Sequence, residues 1–322
     1  MAYLIGTDEA GYGPNLGPLV VSATVWQVES IAHTELFSAL RGAVRRCNDD
    51  KTATDEIVIG DSKDLYKPGK GLSGLEQGVF SCLAAVGKQP RSWKTMFRTL
   101  AVSDFEALTQ LPWYHDCDLR LPLEMSSQDV SARAKRLVEH CDAAGCIPQD
   151  VISRVVAPRQ FNALIDELGN KAFALSHTTL QLVRHALSSL PDDEPVYVLC
   201  DKHGGRNRYG PLLNESFPES LAVVRKESRE ESVYQLGTGK RRREIVFRAK
   251  ADESFLPSAL ASMVSKYLRE LAMRAFNEYW THHVDDLKPT AGYPVDAKRF
   301  KQQIEPTQKR LGIDDRVLWR CR

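Results

Sequence analysis

The stretch Tyr3-Leu4-Ile5-Gly6-Thr7-Asp8-Glu9-Ala10-Gly11-Tyr12-Gly13-Pro14-Asn15-Leu16-Gly17-Pro18 decides how the chain is read. Tyr3, Leu4 and Ile5 form a short apolar run with strand preference. Asp8 and Glu9 follow, and glycines and prolines then break the chain. Taken alone, an Asp-Glu pair beside glycines is most often a solvated turn. Two adjacent carboxylates on a buried strand, however, are costly unless something positive lies between them. A hard divalent cation such as magnesium takes oxygen ligands and keeps positions open for phosphate oxygens. Glycines without side chains let the backbone approach a ligand closely. A dinucleotide-binding loop fits poorly, because the spacing is G-x-G-x-x-x-G and Pro14 falls where a helix should run.

The rest of the chain narrows the choice. Its 322 residues suffice for one large domain or two modest ones. Lys plus Arg is 43 against 42 for Asp plus Glu, so nucleic-acid contact must come from a local patch, not a global field. The seven cysteines are scattered without a C-x-x-C pair, which indicates neither a disulfide framework nor a zinc site. That usage fits a reducing compartment. The sequence lacks a signal-peptide pattern and any apolar run of membrane-spanning length, so a cytoplasmic chain with no membrane partner is expected.

Residues 19–27 (LVVSATVWQ) read as a second strand, antiparallel to the first across the glycine-proline turn. Residues 31–46 carry helical spacing, 57–59 a short strand, and 75–86 a helix. From 88 to 152 the pattern is hard to read beyond a helix at 130–140, and the segment looks like an elaboration on a core. An amphipathic helix is expected over 170–190. Strands are expected at 196–201, 221–224 and 245–247. Between the last two, Lys240-Arg-Arg-Arg243 is either a phosphate contact or a solvated hairpin tip. The strongest helix spans 257–280, with Ser262, Lys266 and Glu270 four apart on one face. A last helix is expected over 297–311.

Four carboxylates stand out by position: Asp8 and Glu9 after a strand, Asp201 at a strand end, and Glu270 on a helix face. Residues distant in sequence often converge at strand ends in α/β proteins. Such a set would hold two divalent ions about 4 Å apart, a recurring arrangement for phosphodiester cleavage. Lys63 and Lys266 are candidate phosphate partners.

The motifs resemble the type 2 ribonuclease H family, which includes ribonuclease HII and the eukaryotic catalytic subunit. Gly6-Thr-Asp8-Glu9-Ala-Gly11-Tyr12-Gly13-Pro14 resembles its G-x-D-E-A-G-R-G-P opening. Asp61-Ser62-Lys63 with Leu65 resembles D-S-K-x-L. Val198-Leu-Cys-Asp201 resembles the strand of its third carboxylate. Lys250-Ala-Asp252, followed by Ala261-Ser-Met-Val-Ser-Lys266-Tyr-Leu-Arg269-Glu270, resembles K-A-D … A-S-x-x-A-K-x-x-R-D. Gly292-Tyr293-Pro294 resembles a segment of the eukaryotic and archaeal members. The matches come in the family's order.

The resemblance implies an α/β, ribonuclease H-like fold: a mixed five-stranded sheet flanked by helices, with a helical C-terminal part. It implies a catalytic region over 1–284, with 88–152 as an insertion, and an extension over 285–322. It implies a monomeric enzyme that cuts the RNA strand of RNA–DNA hybrids, or at a ribonucleotide within duplex DNA, using two magnesium or manganese ions and leaving 3′-hydroxyl and 5′-phosphate ends. The catalytic and metal-binding set would be Asp8, Glu9, Asp201 and Glu270. Gly11 and Gly13 would meet the ribose 2′-hydroxyl. Tyr12, Lys63, Lys266 and Tyr293 would complete the substrate site.

Two departures stand against the pattern. Glu270 replaces the family's usual Asp, as in the ribonuclease HIII branch, and Tyr12 replaces an Arg whose fixed charge and bidentate geometry tyrosine lacks. They keep two alternatives open: the same fold acting on another structured nucleic acid, and a non-catalytic nucleic-acid-binding relative.

Overall fold

The computed structural model of the chain describes residues 1–30, 35–49, 55–67, 69 and 71–321. The strands are β1 (Ala2–Ala10), β2 (Leu19–Val28), β3 (Val44–Arg46), β4 (Ile57–Ile59), β5 (Cys146–Val156), β6 (Val196–Asp201), β7 (Val223–Glu227), β8 (Glu231–Leu236) and β9 (Arg243–Arg248). The longer helices used below are α1 (Ser73–Ala85), α2 (Ser127–Ala144), α3 (Pro158–Leu168), α4 (Lys171–Ser188), α5 (Leu256–His283) and α6 (Pro294–Arg310). The main sheet runs β5-β2-β1-β6-β9-β8-β7, and β3 pairs with β4 in a separate small sheet.

This is the expected mixed sheet flanked by helices. β1 is antiparallel to β2 and parallel to β6, which is parallel to β9. The count of five is corrected to seven. β5-β2-β1-β6-β9 form a five-stranded mixed core, and β8 and β7 extend it. β5 was missed because Pro148 interrupts its alternation, and it begins inside the segment read as an insertion. Proline is tolerated there because β5 is an edge strand, with an irregular register opposite Val25 and Trp26. β8 was hidden by charge, although its residues alternate between buried and half-buried. Of the helix expected over 31–46, residues 31–34 lie outside the described residues. The remainder is one helical turn, Leu36–Ala39, followed by β3.

Side chains alternate across the sheet with period two. Leu4, Val20 and Trp26 join the core that includes Leu268 and Leu271 of α5. Tyr3, Ile5, Val21 and Ala23 join the opposite core, with Phe161 of α3 and Leu175 and Leu180 of α4. The start of α5 lies hard against β1 at Gly6, where an added Cβ would fall 2.1 Å from the Ser258 backbone nitrogen. Thr24 Oγ1 donates to the Pro257 carbonyl at 2.8 Å and fixes the same approach. Two contacts, Gly6 with Ser258 and Thr24 with Pro257, thus set the height of α5 against β1.

The segment before β5 is anchored to α1 and α5 by one carboxylate. Glu76 is fully buried and accepts from the backbone N–H groups of Leu123 (2.6 Å), Glu124 (2.8 Å) and Met125 (2.9 Å), and from Tyr267 Oη (2.8 Å). Glu76→Gln replaces an acceptor by a donor among these N–H groups. It is expected to cost roughly 2–3 kcal/mol in denaturant unfolding; a loss below roughly 0.5 kcal/mol would remove the anchoring role. At the C-terminus, Phe300 of α6 packs against Phe276 of α5, and Trp319 pairs with Leu16.

Candidate functional site

Parallel pairing brings three strand ends to one edge of the sheet. Thr7 of β1 is in register with Cys200 of β6, so Asp8 and Asp201 follow side by side. Asp201 is in register with Arg248 of β9. Two residues on, the chain turns through Lys250, whose φ of 59° is in the left-handed region, and enters the short helical turn Ala251–Ser254. That turn sends the Ala251 N–H back to Asp201 Oδ1 at 3.4 Å and buries Asp252 beside it. A non-glycine residue at positive φ is held by its surroundings and is common at functional sites.

Asp8, Glu9, Asp201 and Asp252 therefore share one electrostatic field. Burial, then Glu9, pushes the Asp8 carboxyl well up, against a hydrogen bond from Ser262 of α5. Burial, then Asp201, raises Glu9 to about 7, with Lys63 opposing. Burial, then Asp61 and Asp201, raises Asp252 to about 6, again with Lys63 opposing. Burial raises Asp201 as well, while the backbone N–H groups of Lys202, Ala251 and Lys250 pull it down. Lys63 stands on the short turn Ser62–Leu65 after β4, capped by Asp61, and Ser62 Oγ lies within hydrogen-bond distance of Ser262 Oγ, at 3.2 Å. Lys63 Nζ lies 3.8 Å from Asp61, and burial lowers its pKa less than the surrounding carboxylates raise it.

Glu270, the fourth carboxylate expected from the sequence, is bonded to other partners. Its Oε2 accepts from Tyr66 Oη at 2.9 Å and its Oε1 from Lys266 Nζ at 2.5 Å. Lys266 Nζ also lies 4.6 Å over the Tyr66 ring. The reason is helix geometry. Ser262 faces Asp8, and Glu270 is eight residues further along, about 12 Å down the axis. Lys266 serves the Glu270 pair.

The glycine-rich loop after β1 lies over two buried arginines. Arg269 donates from Nη1 to Pro18 O (2.7 Å) and from Nη2 to Leu16 O (3.3 Å) and Ala291 O (3.1 Å). Arg320 donates from Nη2 to Gly11 O at 2.5 Å and to Pro14 O. Gly11 has a φ of 87°, and a Cβ there would meet Pro18 O at 2.7 Å and the Arg269 side chain at 2.9 Å. The Gly292 carbonyl accepts from Asn15 N–H at 2.7 Å, which seats the exposed Tyr293 ring against Gly13. Gly11, Tyr12, Gly13 and Tyr293 are thus brought together beside Glu9.

No family model matches the sequence, and no curated protein matches it. Solved structures do. The structures this chain resembles are ribonucleases H of the HII, H2 and HIII kinds. Ribonuclease HII of Archaeoglobus fulgidus, solved in its complex with PCNA, is 14% identical, with 99% of this chain and 94% of that chain covered and a TM-score of 0.42. Ribonuclease H2 of Pyrococcus horikoshii OT3 is 16% identical, with 98% and 92% covered and a TM-score of 0.41. Bst-RNase HIII in complex with Mn2+ is 14% identical, with 99% of this chain and 66% of that chain covered and a TM-score of 0.40. These neighbours bear the names that the motifs suggested; at such scores they add no weight, and the functional reading rests on the site.

Asp252 carried a sequence signal that position on a helix face outweighed. An apolar strand at 245–247 runs toward a carboxylate, as the strand at 196–201 runs into Asp201. The two arginines left no signal, because nothing in a sequence shows that a guanidinium will be buried under a loop. The basic run 240–243 lies away from the carboxylates. Arg243 is in register with Val196, at the opposite end of β6 from Asp201, and it pairs with Asp192 while Arg242 pairs with Glu244. Among the described residues, no helix is long and apolar enough to cross a membrane.

Proposed function

We propose that this chain is a divalent-metal-dependent endonuclease that cuts the RNA strand of RNA–DNA hybrids, with Asp8, Glu9, Asp201 and Asp252 as its metal-binding carboxylates. The observation that carries the reading is their convergence at the ends of three strands beside a glycine loop and an exposed tyrosine. The donor set fits a hard cation: four carboxylates crowd together with Lys63 as their opposing charge. Among the described residues no three such side chains are closed around a common point, so the set is gathered but not clasped. Magnesium or manganese held there would supply a nucleophile near neutral pH and charge for the leaving oxygen.

The chain's own residues do the rest. The backbone at Gly11 and Gly13 approaches the sugar and reads its 2′-hydroxyl, the group that marks RNA against DNA. Tyr293 offers a ring face to the adjoining sugar. Lys63 meets a non-bridging phosphate oxygen and steadies Glu9 and Asp252. Ser262 orients Asp8. The two arginines hold the glycine loop at a fixed height, so its backbone costs little to organise on binding. Water attack on phosphorus, with the P–O3′ bond breaking and the 3′ oxygen leaving to take up a proton, gives 3′-hydroxyl and 5′-phosphate ends.

The deciding test is cleavage of a labelled RNA–DNA hybrid in magnesium and in manganese, beside Asp8→Asn. Metal-dependent cuts confined to the RNA strand, lost at least 100-fold in Asp8→Asn at unchanged fold, are expected. Equal turnover in Asp8→Asn would refute the site. A duplex with one ribonucleotide and a branched DNA in the same assay separate junction cutting from action on another structured substrate. Tight hybrid binding without cuts in either metal would make the chain a binding protein.

A further inference from the structure

Beside the carboxylates, on the Tyr12 side, two cations lie on aromatic rings without a carboxylate partner. Lys171 Nζ is 4.8 Å from the centre of the Tyr12 ring, and the Arg206 guanidinium is 4.2 Å from that of Phe173. Among the described residues neither cation has an acidic group within ion-pair distance, and Arg206 Nε is buried with no acceptor. Three segments build the place: the loop after β1, the first turn of α4, and the loop after β6. Gly204 brings the last against the first, since a Cβ there would lie 3.5 Å from Tyr12 Oη and 3.8 Å from Ala172 Cβ.

The loop that carries Arg206 is held rigidly. His203 is buried, with Ser176 Oγ at 3.0 Å from Nδ1 and Thr179 Oγ1 at 3.5 Å from Nε2, both on α4. His203 N–H donates to Tyr209 Oη at 3.0 Å, Arg206 N–H donates to His203 O at 3.1 Å, and the Tyr209 ring stacks on Phe247 at 3.6 Å. Burial and then Glu9 push the Tyr12 phenol up while Arg206 pulls it down, so all three act at one place.

Cations whose task was to neutralise the carboxylates would be bonded to them. These two are instead propped on rings, half-buried, with donors free. A guanidinium so fixed presents a planar fork suited to phosphate oxygens. We infer that Arg206 and Lys171, backed by Phe173 and Tyr12, form a phosphodiester-binding subsite that holds the nucleic-acid backbone next to the scissile position. This rests on the nuclease reading for the identity of the substrate, while the binding of duplex phosphate can be measured without it.

The test is fluorescence anisotropy with a labelled RNA–DNA hybrid in a salt series, on the full chain carrying Asp8→Asn, with Arg206→Gln, Lys171→Gln and the distant Lys240→Gln added in turn. Arg206→Gln is expected to weaken binding about tenfold and to reduce the slope of log K against log salt by roughly 0.9, the value of one phosphate contact. Lys171→Gln lowers the slope by a similar amount, Arg206→Lys restores the slope, and Lys240→Gln moves neither. A lost guanidinium stack alone would alter melting but leave the slope unchanged. Unchanged affinity and slope in both subsite variants, with hybrid cleavage by the chain that retains Asp8 intact, overturn the subsite and spare the nuclease reading. If the chain that retains Asp8 cuts no hybrid in either metal while slope is lost in these variants, the subsite is supported and that reading is defeated. Absence of duplex binding by the parent overturns the subsite.

Discussion

Replacing Asp252 with Asn is expected to lower hybrid cleavage about 1,000-fold, on the scale of roughly 4 kcal/mol of lost transition-state stabilisation, while Glu270→Gln keeps it within about tenfold. The two side chains differ in what they face. Asp252 acts directly on Asp8 and Glu9 and is itself pressed by Asp61 and Asp201. Glu270 spends both oxygens on Tyr66 and Lys266. Loss of Asp252 removes an oxygen donor from the cluster; loss of the Glu270 charge frees Lys266 and loosens a half-buried pair. Single-turnover rates at saturating metal separate these effects from metal affinity, and far-UV circular dichroism checks the fold. A large loss in Glu270→Gln with a small one in Asp252→Asn would return the fourth position to the α5 face.

The contrast also shows how far the sequence reaches. The β1–β2 hairpin, β6 with its terminal carboxylate, and α5 were legible because each is a strongly patterned run with its own start and stop. That Asp8, Glu9 and Asp201 come together was legible for the same reason. The place of Asp252 beside them was not, since it depends on the turn through Lys250 that follows β9. β5 and β8 were obscured by Pro148 and by charge, and only their pairing with β2 and β9 defines them. Arg269 and Arg320 are the clearest limit. A sequence reader places arginines in solvent, yet both are buried here and bonded to loop carbonyls, so the loop's conformation depends on residues 250 to 310 positions away.

The crowding of the carboxylates has a measurable consequence for stability. Glu9 rises from 4.5 to about 7 and Asp252 from 3.8 to about 6 on folding. Below about pH 4 both groups are protonated in folded and unfolded chains alike, and their contribution is intact. As pH rises through the folded values the unfolded chain has already released these protons, and stability falls. Because the two shifts share one repulsion they do not add in full; together they are worth roughly 3–5 kcal/mol. Buried His203 acts the other way. Burial and then Arg206 lower it to about 3, so its contribution is present above pH 6.5 and is lost as pH falls. A bare melting profile between pH 5 and 8 therefore mixes two opposed slopes. The difference between magnesium and EDTA at each pH cancels the histidine and isolates the carboxylates. That difference is expected to grow from near zero at pH 5 to about 5 °C at pH 8, given an unfolding entropy of roughly 0.7 kcal/mol/K for a chain of this size. Asp252→Asn should raise the melting temperature in EDTA at pH 8 and shrink the magnesium increment. An increment that is constant with pH, or absent at pH 8, would mean that the four carboxylates do not share a cation.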